Sequence, residues 1–221
     1  MHLSLTVLVI IITTLVSLSA FNSRKIMDDL IFYPAIIREK NQYYRFLTYG
    51  FIHADFMHLA FNMYAFYLFG EFTEKAFLTI FGEGSGKFFY LAMYLLALIA
   101  CVIPDYNKHS TNHQYRSLGA SGAVSAVVFA YILLNPLQGI GLIFLPFFIP
   151  GFIFGILYVV VSYYLGRKGG TNINHNAHLW GALFGVVFLI VTSKLFSNFP
   201  VLDNFIFQVK NMRLDQLFQT Y

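Results

Sequence analysis

Charged residues are scarce in this sequence of 221 residues. Asp, Glu, Lys and Arg make up only 11% of it, whereas 58% is hydrophobic and the mean hydropathy is +0.66. An average soluble domain carries about 25% charged residues. The composition therefore excludes an ordinary soluble globular domain and predicts an integral membrane protein.

Cysteine is nearly absent, and the charge balance is mildly basic. The one cysteine, Cys101, lies within an apolar run, so neither an intrachain disulfide nor a thiolate site is predicted. The formal net charge is +4 at pH 7. Because the basic residues stand next to apolar runs, we expect the lipid bilayer surface, and not nucleic acid, to be their partner.

Six apolar stretches approach the length of about 20 residues, with about 17 tolerated, that a helix needs to cross a bilayer. They cover residues 3–20, 56–72, 88–103, 119–134, 140–165 and 177–195. No long polar linker separates two halves of the chain. The sequence therefore predicts one domain over 1–221, an all-α bundle of six transmembrane helices.

Two of these stretches have more than one interpretation. The first ends in Ser17-Leu-Ser-Ala20, as a signal peptide does, but no Lys or Arg precedes it, which favours a retained helix. The fifth contains three prolines, Pro136, Pro146 and Pro150, that no continuous helix accommodates. We predict a turn over 135–139, a re-entrant or interfacial piece, and a helix from about Gly151.

Two further segments have a mixed character that suits a membrane surface. The loop over 21–55 combines apolar side chains with five basic ones, which predicts an interfacial loop or short helices on the headgroups. Its basic residues are Arg24, Lys25, Arg38, Lys40 and Arg45. The tail over 196–221 also alternates apolar and basic residues, and a frayed terminus is an equal alternative.

Polar side chains mark the starts of the second, fourth and sixth predicted helices. These are His58 and Asn62, then Ser121, then His178. Since alternate helices of a bundle run in the same direction, the four side chains are expected on one side of the membrane. A lone Ser bonds to its own helix turn, and a lone His bridges helices. Several polar residues at one depth instead indicate a functional site.

Glycines at the same positions predict that the fourth and sixth helices approach closely. Gly119 and Gly122 flank Ser121, and Gly181 and Gly185 form a small-xxx-small pattern after His178. Close approach matters because a serine becomes a nucleophile only when a base lies within about 2.6 to 3.2 Å.

The helix starts also predict stabilisation of an oxyanion beside the serine. The backbone of Ser121 lies at a positive helix end. His58 and Asn62, four residues apart on one helix face, are additional donors. Asp55 and Asn176 are predicted as the N-caps of the second and sixth helices.

Three motifs carry a resemblance to a known family. Gly119-Ala-Ser-Gly122, His58-x-x-x-Asn62 and Ala177-His-x-x-Gly181-x-x-x-Gly185 occur in the order found in the rhomboid family of intramembrane serine proteases. The chain resembles that family over residues 44–195. The resemblance implies a dyad of Ser121 and His178 that cuts single-pass membrane proteins without metal or cofactor. It also implies that His58 and Asn62 lie at the oxyanion hole.

The resemblance extends to two supporting residues. Tyr44-Arg45 stands where the family has a Trp-Arg pair, so the arginine is kept and the tryptophan is not. Glu74 matches an acidic residue with a structural and not a catalytic role.

A departure lies nearer the chemistry. Many relatives have an aromatic residue one turn after the nucleophile, against which the histidine packs, and this chain has Ser125 there. Three residues are candidates for bracing His178: Ser125 itself, Tyr64 and Tyr131.

The resemblance implies a cytoplasmic N-terminus and an active site on the extracytoplasmic side of a bacterial plasma membrane. The basic first loop opposes this under the positive-inside rule, and we follow the resemblance. One alternative is a rhomboid-like protein that binds membrane clients without cutting them. Another is a transporter or a metal site built from the histidines His53, His58, His175 and His178. The sequence predicts no oligomeric state.

Overall fold

The computed structural model describes residues 3–141, 148–170 and 173–213. These residues form a helical bundle with one small hairpin. A 3-10 turn at Tyr49–Phe51 separates α4 from α5. In chain order the elements are α1 (Leu5–Phe21), α2 (Arg24–Leu30), α3 (Pro34–Lys40), α4 (Arg45–Thr48), α5 (Phe56–Phe81), α6 (Glu83–Ala100), α7 (Ile103–His109), α8 (Ser121–Leu134), β1 (Gly139–Gly141), β2 (Phe148–Pro150), α9 (Gly151–Lys168), α10 (His175–Phe196) and α11 (Val201–Lys210).

The six predicted apolar stretches correspond to α1, α5, α6, α8, α9 and α10. Among the described residues, two helical segments have both the length and the hydropathy of a membrane span, Glu83–His109 and His175–Phe196. Leu5–Phe21 and Ser121–Leu134 are shorter apolar helices. Six membrane crossings therefore remain a prediction.

The fifth stretch corrects the all-α expectation. Strands β1 and β2 pair antiparallel, with Gly139 opposite Pro150. Short strands form here because the prolines and glycines cannot continue a helix, and pairing satisfies their backbone groups. Helix α9 then begins at Gly151, as predicted. Pro146, and with it the centre of the predicted re-entrant piece, lies outside the described residues.

Helix α1 is joined to α5 by a buried carboxylate. Glu74 accepts hydrogen bonds of 2.8 Å from the backbone N–H of Leu5, the backbone N–H of Thr6 and the Thr6 hydroxyl. The amides of a first helical turn have no partner within their own helix. An acidic side chain at that end accepts their hydrogen bonds and stabilises the helix. The hydroxyl of Ser4, which caps α1, donates to Glu71. A retained α1 is still a prediction.

The first loop is compact because one arginine ties it together. Arg45 is only 5% exposed. Its guanidinium donates to the carbonyls of Asp28 (2.7 Å) and Ile31 (2.8 Å) and to the side chain of Gln42 (2.7 Å). These contacts join the end of α2 to the start of α4, so Arg45 stabilises the fold of the first loop.

Helix α8 runs through the centre of the bundle, where nearly all of its residues are buried. Large apolar side chains instead face outward on the surrounding helices, such as Leu15, Phe61, Val160 and Leu183, each about half exposed. Extensive exposed apolar surface marks a contact with lipid or with another protein. The fold thus encloses the start of α8 inside a ring of helices with apolar outer faces.

Candidate active site

One large cavity opens where α5, α8 and α10 begin. Its volume is about 1450 Å³, and Ser121, His178, His58 and Asn62 all line it. The predicted site residues come from three different helices, and the structure brings all four to this cavity.

Ser121 is the first residue of α8, and the first loop holds the segment that precedes it. Phe32 and Ser117 exchange two backbone hydrogen bonds of 3.0 Å, and the amide of Gly119 donates to the carbonyl of Tyr49 at 3.0 Å. Gly119 has φ +109°, a conformation that side chains disfavour. A Cβ there would also lie 2.7 Å from Cε1 of His58. Glycine is therefore required immediately before the serine turn.

The contact between α8 and α10 is made by backbone atoms. A Cβ on Gly181 would lie 2.0 Å from the carbonyl oxygen of Gly122, and one on Gly185 would lie 2.1 Å from that of Ala126. The structure thus has the close approach that the glycine pattern predicts. Gly122 follows Ser121, and Gly181 is one turn after His178, so the contact sets the spacing between the two side chains.

The imidazole of His178 lines the cavity, but its Nε2 forms no hydrogen bond with the described residues. Its Nε2 is buried and has no hydrogen-bond partner within residues 3–141, 148–170 and 173–213. Over that part of the chain, the structure therefore contains no hydrogen bond between Ser121 and His178. In ligand-free enzymes such bonds are often long and tighten only when substrate binds.

His58 and Asn62 lie beside the serine turn on α5. The carboxylate of Asp55 caps this helix by accepting from the backbone N–H of His58 at 2.8 Å, as predicted. The His58 ring lies directly against Gly119. Asn62 donates from its side-chain amide to the His58 carbonyl at 2.9 Å. One amide hydrogen of Asn62 is thus used within its own helix, and the side-chain amide has a second hydrogen to donate.

His53 supports the serine turn from below. It is fully buried, its Nδ1 lies 2.9 Å from the hydroxyl of Ser17, and its Nε2 accepts from the backbone N–H of Ala120 at 3.4 Å. Since the Ser17 hydroxyl itself donates to the Phe51 carbonyl at 2.9 Å, Nδ1 is the donor in its pair. Burial, reinforced by nearby His58, lowers the pKa of His53 to about 3.

These contacts bear on the metal-site alternative. Both ring nitrogens of His53 are engaged, so this histidine has no lone pair left for a metal. Across the described residues, no group of three or more His, Cys, Asp or Glu side chains is placed to hold a metal ion.

A buried carboxylate on α7 organises the outer end of α10. Asp105 is 4% exposed and accepts from Asn174 (2.6 Å), Asn176 (2.7 Å) and the hydroxyl of Tyr115 (2.8 Å). Burial and the neighbouring Asp105 carboxylate raise the pKa of Tyr115 far above its usual value. Asp105 therefore joins the segment before Ser121 to the start of the helix that carries His178.

The prediction that Asn176 caps α10 is wrong. The helix begins at His175, so the capping position falls on Asn174, whose side-chain oxygen accepts from the backbone N–H of Ala177 at 3.0 Å. Asn176 lies inside the first turn and donates to Asp105 instead.

Two candidates for bracing His178 are not beside it. Tyr131 packs its ring against Phe69 (centroids 5.1 Å apart) and Phe72 (5.0 Å). Tyr64 is 53% exposed on the outer face of α5. Among the described residues, two rings lie beside His178: that of Tyr158 on α9, stacked with centroids 6.1 Å apart, and that of His175, edge-on at 5.9 Å.

The sequence-based predictions do not include Asp105 or Tyr158, because the sequence holds only weak signals for them. Asp105 is the first carboxylate after the third apolar stretch, and two asparagines flank the start of the sixth. Tyr158 is one of three tyrosines on α9, together with Tyr163 and Tyr164, and no periodicity separates it from the others.

Comparison with known proteins identifies the family of the chain. The model of the Rhomboid domain matches residues 40–195, well over half of the sequence. The chain belongs to the rhomboid family. Rhomboids are integral membrane proteins, and the family is known for intramembrane serine proteases.

Three relatives show the range of the family. Rhomboid protease GlpG of Haemophilus influenzae is 25% identical, over 77% of this chain and 82% of its own length. RHOMBOID-like protein 12, mitochondrial, of Arabidopsis thaliana is 31% identical, over 64% of this chain and 44% of its own length. The human presenilin-associated rhomboid-like protein, mitochondrial, is 30% identical, over 66% and 37%. This rhomboid thus spans less than half the length of the two mitochondrial relatives.

Proposed function

We propose that this rhomboid is an intramembrane serine endopeptidase, with Ser121 as nucleophile and His178 as general base. One observation carries the proposal. The backbone contact between α8 and α10 brings Ser121 and His178 to one cavity, where Nε2 of His178 is buried without a hydrogen-bond partner among the described residues. A buried nitrogen without a hydrogen-bond partner lowers stability, and a catalytic role is one explanation for keeping it.

The chemistry follows from these two groups. His178 takes the proton of the Ser121 hydroxyl as its oxygen attacks the peptide carbonyl, and then returns that proton to the leaving amine. Water hydrolyses the resulting acyl-enzyme by the same steps in reverse. The buried carboxylate of Asp105, which also lines the cavity, accepts hydrogen bonds from Asn174, Asn176 and Tyr115. The reaction is therefore proposed to use a dyad.

Three groups are proposed to stabilise the oxyanion. The first amides of α8 have no partner within the helix and lie at its positive end. The ring of His58 and the second amide hydrogen of Asn62 border the same cavity. Donors directed at a developing negative charge are the largest single contribution in many hydrolases.

The proposed setting is a bacterial plasma membrane, crossed by α1, α5, α6, α8, α9 and α10. The N-terminus is placed in the cytoplasm and the cavity toward the extracytoplasmic side. Single-pass membrane proteins are the proposed substrates, because a bilayer-embedded segment can approach a cavity bordered by helices with apolar outer faces.

A cleavage assay with the protein reconstituted in liposomes tests the proposal. Ser121→Ala and His178→Ala are each expected to lose nearly all cleavage of a panel of single-pass proteins, because groups that act as a unit fail together. Ser19→Ala and His113→Ala change exposed side chains and serve as controls with unchanged rates. Turnover by folded Ser121→Ala would refute the dyad. Clients that bind to the wild type and stay intact would favour the non-catalytic alternative.

A further inference from the structure

Tyr158 reaches from α9 to the side of His178. The centroids of the two rings are 6.1 Å apart and their planes are inclined by 28°. The tyrosine is itself held by Phe129 (5.4 Å) and Phe154 (6.1 Å). An aromatic ring fixed in this way forms a wall along the face of the imidazole.

The hydroxyl of Tyr158 reaches the other half of the site. It lies 2.6 Å from the hydroxyl of Ser125, which donates to the carbonyl of Ser121 at 2.8 Å. A serine has one hydrogen to donate, so in the 2.6 Å contact Tyr158 is the donor. The hydrogen bonds run from Tyr158 through Ser125 to the backbone of Ser121. One side chain therefore contacts the histidine and, through Ser125, the serine.

Most of α9 faces away from the bundle. Its buried residues are Gly151, Gly155 and Ser162, and its apolar side chains mostly face outward. Tyr158 is among the α9 residues that line the cavity, and it contacts both His178 and Ser125 there.

We propose that Tyr158 is a positioning residue that keeps the His178 ring directed at Ser121. The proposal rests on the function proposed above. Rotation of a histidine ring about its second side-chain torsion meets only a broad, two-fold preference, so packing must select its orientation. The Tyr158 ring supplies that packing, and its hydroxyl ties the same wall to the Ser121 carbonyl.

Kinetics of four variants test the proposal in liposomes. Tyr158→Ala is expected to lower kcat about 10- to 100-fold, the cost of a small misplacement of reacting groups, with KM nearly unchanged. Tyr158→Phe keeps the ring and should recover most of kcat. Tyr158→Leu keeps apolar bulk without the ring and should resemble the alanine variant, which guards against a folding defect in the latter. Tyr164→Ala, 61% exposed on the same helix, is the matched control.

A spectroscopic readout separates this proposal from the proposed function. The ring current of Tyr158 shifts the ring-proton NMR resonances of His178, which are assigned by their loss in His178→Ala. They should move in Tyr158→Ala and Tyr158→Leu and stay in Tyr158→Phe and Tyr164→Ala. Unmoved resonances in Tyr158→Ala would overturn the contact, whether or not the protein cleaves anything.

The kinetic outcomes then divide cleanly. Wild-type kcat in Tyr158→Ala, with cleavage still dependent on Ser121, would overturn the positioning role and leave the protease standing. A wild type that cleaves nothing would overturn the protease, and with it the positioning role.

Discussion

Two of the helices that pack against α10 hold it in different ways. Against α8, a Cβ on Gly181 would lie 2.0 Å from a backbone oxygen, which leaves no room for any side chain. Against α9, the seat of Tyr158, packing is between side chains, as in the contact of the Tyr158 and His178 rings with centroids 6.1 Å apart. Where α9 packs on α8, a Cβ on Gly155 would meet Ile132 and Phe129 at 3.6 Å, an ordinary contact distance. Backbone contact therefore sets where His178 lies relative to Ser121, and a side chain sets how its ring is turned.

Alanine substitutions at Gly181 and Gly155 are expected to give the largest difference between the two kinds of contact. Gly181→Ala should abolish cleavage and lower the melting temperature, because the backbones of α8 and α10 must move apart. Gly155→Ala should keep activity and gain up to about 1 kcal/mol of stability, since glycine is a poor helix former. Cleavage and thermal unfolding of both variants measure the contrast. Equal behaviour of the two variants would show that the α8–α10 contact is not special.

The outer end of α10 offers a second and weaker test. Asp105→Asn keeps the shape of the side chain but turns a donor toward Asn174, Asn176 and Tyr115, which all donate to this position. We expect a loss of about 1 to 3 kcal/mol in the free energy of unfolding, typical of an unsatisfied buried group, and slower cleavage. The control is Asp29→Asn, an exposed carboxylate of the first loop. If chemical denaturation gives both variants the stability of the wild type, Asp105 does not stabilise the outer end of α10.

The smallest effect near neutral pH is a pH dependence carried by His53. Burial depresses its pKa to about 3 from an ordinary 6.5, so between these values the unfolded chain binds a proton that the folded protein does not. The stability contributed by neutral His53 is therefore complete above pH 6.5 and falls as the pH drops toward 3. The slope is at most about 1.4 kcal/mol per pH unit.

Comparison of unfolding free energies in the wild type and His53→Gln isolates this contribution, because His58 and Asp55 near the ring are unchanged. Gln114→Asn, at an exposed side chain that does not titrate, should keep the pH slope of the wild type. An identical pH slope in His53→Gln would mean that His53 does not hold the serine turn in the neutral form.

The parts of the fold that depend on apolar run length and on glycine spacing were open to prediction from the sequence. Both are local patterns, and they lead to the helices and to the approach of Gly122 and Gly181. They also lead to four polar residues at the starts of three helices, which the structure places on one cavity.

The remaining features depend on contacts between distant segments. Tyr158 meets His178 only because of the crossing of α9 and α10, and Asp105 meets Asn174 across 69 residues of chain. The pairing of β1 with β2 joins residues on either side of 142–147, and it satisfies backbone groups that the prolines exclude from a helix. No pattern in one segment reveals such partners.

The central claim is that His178 activates Ser121, and labelling by a serine-directed fluorophosphonate tests it most directly. The protein is incubated with the probe in liposomes, and the modified residue is located by peptide mass spectrometry. We predict modification at Ser121 that disappears in His178→Ala. The probe's phosphorus reacts only with an activated hydroxyl, and nearby hydrogen-bond donors stabilise the phosphoryl oxygen of the product. Folded wild-type protein that stays unlabelled beside an active control hydrolase, or labelling that persists in His178→Ala, would contradict the account.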